Sequence, residues 1–149
     1  MPTIKFEVAG VPQGKGRPKF CSRGKFVTAY TPKKTKEYEL MIRGAYLQYL
    51  METGDNANRI GSKAFCMDVI AGFNVPASLS KKKQHELLCH ESHTKKPDID
   101  NIIKVVADAL NGVAYNDDSQ MVQVIGVKQY TSNPTSLIIV MSWEEEDPF

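Results

Sequence analysis

Apolar and polar positions alternate through residues 3–9 (TIKFEVA), the two-residue period of a strand with one buried face. The next stretch, VPQGKGRPKF, breaks that period with glycine and proline and reads as a basic loop. Lys25–Tyr30 predicts a second strand. Thr31-Pro32 predicts a helix start, a capping threonine followed by proline at the first helical position. The helix is expected from about Pro32 to about Glu52, stopping near Gly54, with Tyr38, Met41, Ile42, Ala45 and Tyr49 turned inward. After the turn DNANRIG, Ala64–Val75 predicts a long strand closed by Pro76. Ser80 caps a short predicted helix, KKKQHELLCH. A polar loop leads to Pro97, which pushes Lys96 toward an extended conformation. From about Asn101 a further helix turns Ile102, Ile103, Val106 and Leu110 inward and ends at Asn111-Gly112. Met121–Thr131 and Thr135–Trp143 predict a closing hairpin around Ser132-Asn133-Pro134. The order β-β-α-β-α-α-β-β predicts an α+β fold, a single domain over 1–143 with helices packed on one mixed sheet. Residues 144–149 follow as an acidic tail.

Composition narrows the class. A length of 149 residues suits one domain with one core, and 42% hydrophobic with 24% charged residues is ordinary for a soluble protein. No apolar run approaches the roughly 20 residues of a membrane span, and the N-terminus lacks the apolar block of a signal peptide. A cytoplasmic protein is expected. Cys21, Cys66 and Cys89 form no CxxC pair and are odd in number, which predicts reduced, mostly buried thiols. His85, Cys89, His90 and His93 could suggest a zinc site but match no common zinc spacing, and the histidines are expected on a solvated helix surface.

Charge is more informative in its distribution than in its sum of +2. Residues 1–36 hold nine Lys/Arg against one acid, Glu7, a surplus of +8. Lys15, Arg17, Lys19, Arg23 and Lys25 lie in this arm, where they would grip phosphates, and its glycines would let backbone approach DNA. Phe20 and Phe26 interleave the cations. At strand positions their ordinary role is core packing; the alternative is stacking on, or wedging between, bases.

The acids are crowded elsewhere. Asp98, Asp100, Asp117 and Asp118 stand at the two ends of one predicted helix. Like charges repel, and a hard cation such as Mg²⁺ resolves the conflict through a few carboxylate oxygens and waters. Asp98 and Asp100 are two apart in a segment expected to be extended, where alternate side chains point the same way. Asp100 also suits a plain N-cap, and Asp117-Asp118 a plain turn. Lys104 and Asp108 follow Asp100 at four-residue steps along one helix face. Lys104 would stabilise charge on a phosphate there, with Asp108 orienting it. No serine, cysteine or histidine nucleophile arrangement accompanies this block, so a metal-activated water is the economical route to phosphodiester hydrolysis.

The block KPDIDNIIKVVADALNG followed by NDDSQMV resembles the central signature of the RusA family of Holliday-junction resolvases, found in bacteria and their prophages. GKGRPKF and YTPKKTKEYE extend the resemblance over nearly the whole chain. It implies a homodimeric, Mg²⁺-dependent endonuclease, with Mn²⁺ as an alternative metal, that nicks four-way DNA junctions symmetrically in recombination and repair. It also implies Asp98, Asp100 and Asp118 as metal-binding carboxylates, with Asp117 supporting, and Lys104 as the essential lysine. Paired nicks call for a two-fold dimer, expected to hold one complete metal site per subunit. Two other readings compete: a catalytically silent branched-DNA-binding protein, and a metal-dependent nucleotide phosphohydrolase, for which no GxxxxGK[ST] loop is present. The ending EEEDPF resembles the acidic tip of bacterial single-stranded-DNA-binding proteins and implies a weak contact with replication or repair proteins.

Overall fold

The computed structural model describes residues 1–90 and 92–145, without the side chains of Arg23 and His90. Among these described residues six strands and three α-helices follow in the order β1 (Thr3–Ala9), β2 (Lys19–Arg23), β3 (Phe26–Tyr30), α1 (Lys33–Thr53), β4 (Phe65–Phe73), α2 (Lys81–His90), α3 (Ile99–Leu110), β5 (Met121–Tyr130) and β6 (Ser136–Trp143). Alternation in β1 does what its sequence dictates: Ile4, Phe6 and Val8 are buried and the residues between them exposed. The main sheet has the order β1-β6-β4-β5. β6 runs antiparallel to both β1 and β4, while β4 and β5 are parallel, so the sheet is mixed and the fold is α+β as expected. One sheet face is covered. Tyr38, Ile42, Tyr46 and Leu50 of α1 and Ile102, Val106 and Leu110 of α3 close the core over Met67, Val69, Leu137, Ile139 and Met141. Burial of each such large side chain contributes on the order of 1.5–3 kcal/mol. Gly126 lets α3 come close, since a Cβ there would meet Ile99 Cγ1 at 2.6 Å.

The closing hairpin does not form. β5 and β6 lie on opposite sides of β4 and each pairs with it. Alternation identifies a strand but not its neighbour. The 131–135 connection is long enough, at about 3.3 Å per residue, to step across one strand whose neighbours are about 10 Å apart. Gly72 lies beneath the crossing, where a Cβ would meet Thr131 Cγ2 at 3.1 Å, and Thr131 N–H donates to Phe73 O at 2.8 Å.

Helix ends also differ in detail. Pro32 itself occupies the N-cap of α1, so Thr31 does not cap it, whereas Gly54 ends the helix at φ 70° as expected. Met41 is exposed, and the buried stripe runs through Thr35, Tyr38, Ile42, Tyr46 and Leu50. Ser80 caps α2, its hydroxyl accepting from Lys83 N–H at 3.2 Å. The Lys96-Pro97 bond is cis. None of the cysteines is buried: Cys21 and Cys89 are exposed and Cys66 is half-buried. Among the described residues no helix is long and apolar enough to cross a membrane.

The largest departure concerns the basic arm. A strand begins within the end of its predicted loop: β2 pairs with β3 around Gly24-Lys25, with Gly24 at φ 61° where a tight two-residue turn calls for glycine. Phe20 and Phe26 do not pack in the core. They are 70% and 80% exposed, because the hairpin is a separate two-stranded sheet and no second layer covers β3 among the described residues.

Candidate active site

α3 begins two residues earlier than its hydrophobic period suggested. Asp98 is its N-cap, with φ −70° and ψ 143°, and Asp100 already lies in the first turn. The two acids therefore do not share a strand-like face. They share the positive end of a helix dipole, which favours anionic side chains. Asp98 makes no capping hydrogen bond; its Oδ2 receives Lys96 Nζ at 3.2 Å, and both side chains are open to solvent. Among the described residues the Asp100 carboxylate has no hydrogen-bond or ion-pair partner. A cleft of about 400 Å³ opens beside Asp98, between residues 12–15 and the Lys96-Pro97 turn.

The GKG motif forms one wall of this cleft. Gly14 packs on Asn101, where a Cβ would sit 2.9 Å from the Asn101 Cβ, and Lys15 N–H donates to Asn101 O at 2.9 Å. Gly16 N–H donates to Thr35 Oγ1 at 3.0 Å. These glycines let backbone approach α3 and α1, not DNA. Between them Lys15 is half-buried, with Nζ 2.7 Å from Asp108 Oδ2 and 3.0 Å from Glu39 Oε1. It is thus spent on protein carboxylates, unlike the exposed Arg17, Lys19 and Lys25. Lys104 Nζ lies 3.0 Å from the other Asp108 oxygen, Oδ1. One carboxylate therefore holds two ammonium groups. Burial alone would raise the Asp108 pKa, but hydrogen bonds from Lys15 and Lys104 outweigh it and hold the carboxyl below its ordinary range. Burial likewise opposes the charge on Lys15, and Asp108 and Glu39 hold its pKa above the ordinary value.

Beyond the far end of α3, Gly112 N–H donates to Tyr115 O at 3.0 Å, and the Tyr115 hydroxyl donates to Ala107 O at 2.8 Å. This fixes the turn that carries the acid pair. Burial, with Asp118, Asp108 and Asp117 nearby, pushes the Tyr115 hydroxyl pKa upward. The two acids then diverge. Asp117 caps the single 3₁₀ turn Asp118–Gln120: it accepts from Ser119 N–H at 3.2 Å and from the Ser119 hydroxyl, while its own N–H donates to Gln120 Oε1 at 2.7 Å. The Ser119 contacts, with Asn111 nearby, hold its carboxyl below the usual range. The Asp118 carboxylate has no hydrogen-bond or ion-pair partner among the described residues, while its backbone carbonyl accepts from Met121 N–H.

Asp118 and the Asp98/Asp100 pair lie at opposite ends of α3. Ile99 sits over Gly126, five residues up β5 from Met121, which places about 17 Å of strand between the two ends. α3 itself is about 18 Å long at 1.5 Å per residue. Accordingly, no group of three acids, histidines or cysteines close enough to hold one metal ion occurs among the described residues. The donor chemistry suits Mg²⁺, with three oxygen-bearing side chains engaged by little protein, but one chain does not assemble them in one place. The other metal-ligand types are also dispersed. Cys89 Sγ lies 3.6 Å from His85 Nε2 on α2, while His93 stacks on Phe73 with ring centroids 3.9 Å apart.

Two contributors escape the sequence reading. Glu39 looked like one more solvated acid on α1, and nothing in its spacing tied it to Lys15. Tyr115, fully buried, holds the acid-pair turn against α3. Its aromatic ring between two polar stretches was the available signal. Of the EEEDPF tail, only Glu144 and Glu145 lie within the described residues, and Glu145 pairs with Arg59 at 3.2 Å.

The profile of the family described as Endodeoxyribonuclease RusA matches residues 9–141 of this chain. A protein of Bacillus subtilis (strain 168), named as uncharacterized protein YqaN, is 33% identical over 143 residues, covering 94% of this chain and 96% of that protein.

Proposed function

The chain belongs to the RusA endodeoxyribonuclease family, and from that premise we propose that it is a metal-dependent, structure-selective DNA endonuclease that resolves four-way junctions by paired nicks. The observation that carries this reading is the state of the carboxylates. Asp98, Asp100 and Asp118 are little used by the fold, while Asp117 and Asp108 are consumed by it. A protein that only bound DNA would gain from losing the three unspent acids, which repel phosphate.

Asp98, Asp100 and Asp118 would hold Mg²⁺ or Mn²⁺. When bound, the ion supplies a Lewis acid that makes water nucleophilic and neutralises the leaving oxygen. Lys104 faces the charge that develops on the phosphate, an interaction strongest in the transition state. Asp108, gripped from its other side by Lys15, fixes the Lys104 ammonium instead of leaving it to rotate freely. Lys96 offsets negative charge beside Asp98 as the DNA backbone arrives.

The separation across α3 bears on assembly. A site using all three acids draws Asp118 from a second copy, so the working unit is a two-fold dimer with two shared sites, not one complete site per subunit. The surface beside Asp118 suits a second copy. An apolar hollow of about 480 Å³, lined by Met1, Phe65, Val122 and Trp143 among others, opens there, and Val122 and Ile125 of the sheet-edge strand β5 are 68% and 50% exposed.

The test offers a labelled four-way junction, a linear duplex and free nucleotides, with and without Mg²⁺. Symmetric junction nicks only with metal are expected. Tight junction binding without nicks would favour the silent binding protein, and release of phosphate from nucleotides the phosphohydrolase.

A further inference from the structure

We propose that the β2–β3 hairpin is a base-reading arm, whose exposed aromatic side chains take up unstacked bases at the centre of branched DNA. This rests on the nuclease reading for its substrate but not on any step of catalysis.

Four large apolar side chains are exposed on ten paired residues: Phe20 (70%), Phe26 (80%), Val27 (66%) and Tyr30 (48%). An isolated two-stranded hairpin is marginally stable in water, and these side chains bury little surface against the rest of the fold. Cross-strand register sorts them. Lys19 pairs with Tyr30, and Phe26 lies on the same face beyond the Cys21–Thr28 pair; Phe20, paired with Ala29 and diagonal to Val27, lies on the other. Cations beside exposed rings are the chemistry of single-strand binding, in which cations track phosphates and rings accept base faces.

Charge decides between DNA and a second copy as the occupant. Residues 10–36 hold eight Lys/Arg and no acid. Two such arms packed together would bring like charges into contact, whereas a polyanion neutralises them. Position supports the same occupant. The arm is rooted on the site: Lys15 is bonded to Asn101 and Asp108, Gly16 to Thr35, and β3 runs directly into α1. DNA held at Asp98 therefore passes the hairpin, whose tip is Gly24-Lys25.

The experiment measures metal-free binding, so that nicking plays no part. Wild type, Phe20→Ala, Phe26→Ala, Phe26→Trp and Lys19→Ala are titrated with a four-way junction and a linear duplex at several salt concentrations. Each alanine at an aromatic position should weaken junction binding roughly 5- to 100-fold, with duplex binding and salt slope unchanged. Lys19→Ala should weaken both DNAs and lower the salt slope by about one. Phe26→Trp should keep affinity, and its fluorescence should be quenched by the junction but not by the duplex. Unchanged melting of the variants separates these effects from unfolding. Full junction affinity in both alanine variants, with no quenching in Phe26→Trp, overturns the proposal while leaving the nuclease reading intact. Failure of wild type to bind any branched DNA overturns both. Junction-selective binding through the arm without metal-dependent nicks removes only the nuclease reading.

Discussion

The two ends of α3 carry the same residue type and use it differently. At the N-terminal end Asp98 stands on the rim of an open cleft and Asp100 in the first helical turn, and among the described residues Lys96 alone bonds either carboxylate. Past the C-terminal end the neighbours Asp117 and Asp118 split their duties, one carboxylate closing a 3₁₀ turn and the other making no hydrogen bond or ion pair among the described residues. In the middle, Asp108 is committed to two lysines. A carboxylate is available for metal or phosphate chemistry only where the fold has not already consumed its lone pairs. Counting acids along the chain does not reveal that; counting their partners does.

Substitutions at the two ends test this difference. Asp98→Asn, Asp100→Asn and Asp118→Asn should each lower the nicking rate on the order of 10³-fold, the scale on which lost charge stabilisation acts. Metal-free junction binding should stay equal or tighten, because repulsion against phosphate is removed. A variant that nicks at near wild-type rate takes its acid out of the site. Lys104→Ala comes next, with a rate loss of about 10²-fold and little change in affinity; a loss seen only as weaker binding would make Lys104 a phosphate clamp. Asp117→Asn should reduce nicking only a few-fold and leave stability nearly unchanged, because the asparagine carbonyl caps the turn as the carboxylate does. Deeper loss of activity than in Asp118→Asn would reverse the assignment of the pair.

The smallest effect lies between the ends. The folded-state pKa of Asp108 is depressed, so its ion pairs stabilise above the ordinary carboxyl value of 3.8 and are lost as pH falls through the lower folded value. The pKa of Lys15 is raised, so its share is complete below 10.5 and lost as pH rises through the higher folded value. Lys15→Met should therefore destabilise by about 1 kcal/mol across neutral pH, after discounting for partial exposure. The deficit should shrink in acid as Asp108 protonates. A deficit independent of pH from 2 to 7 would mean that the contribution of Lys15 is packing alone.

Much of the architecture was legible because burial writes a period into sequence. The β1 alternation, the α3 stripe and the Gly54 and Gly112 stops all appear as read. Pairing was not legible: β5 and β6 look like hairpin partners until β4 lies between them. The Lys104–Asp108 pair was visible in four-residue spacing, since both residues share one helix. Glu39 and Lys15 were not, because that contact depends on how a loop packs between two helices. The same blindness to tertiary distance hid the separation of Asp118 from Asp98, and it made Phe20 and Phe26 look like core residues when no second layer among the described residues buries them.

The central claim is that the acids at the two ends of α3 meet only across a dimer. Asp98→Asn and Asp118→Asn proteins, each inactive alone, are mixed and allowed to exchange subunits, with exchange verified by two affinity tags. In a mixed dimer one shared site loses both acids and the other keeps all three. The account predicts that mixing restores nicking to roughly one quarter of the wild-type rate for random exchange, as single and not paired nicks. A verified mixed dimer as inactive as its parents would contradict it.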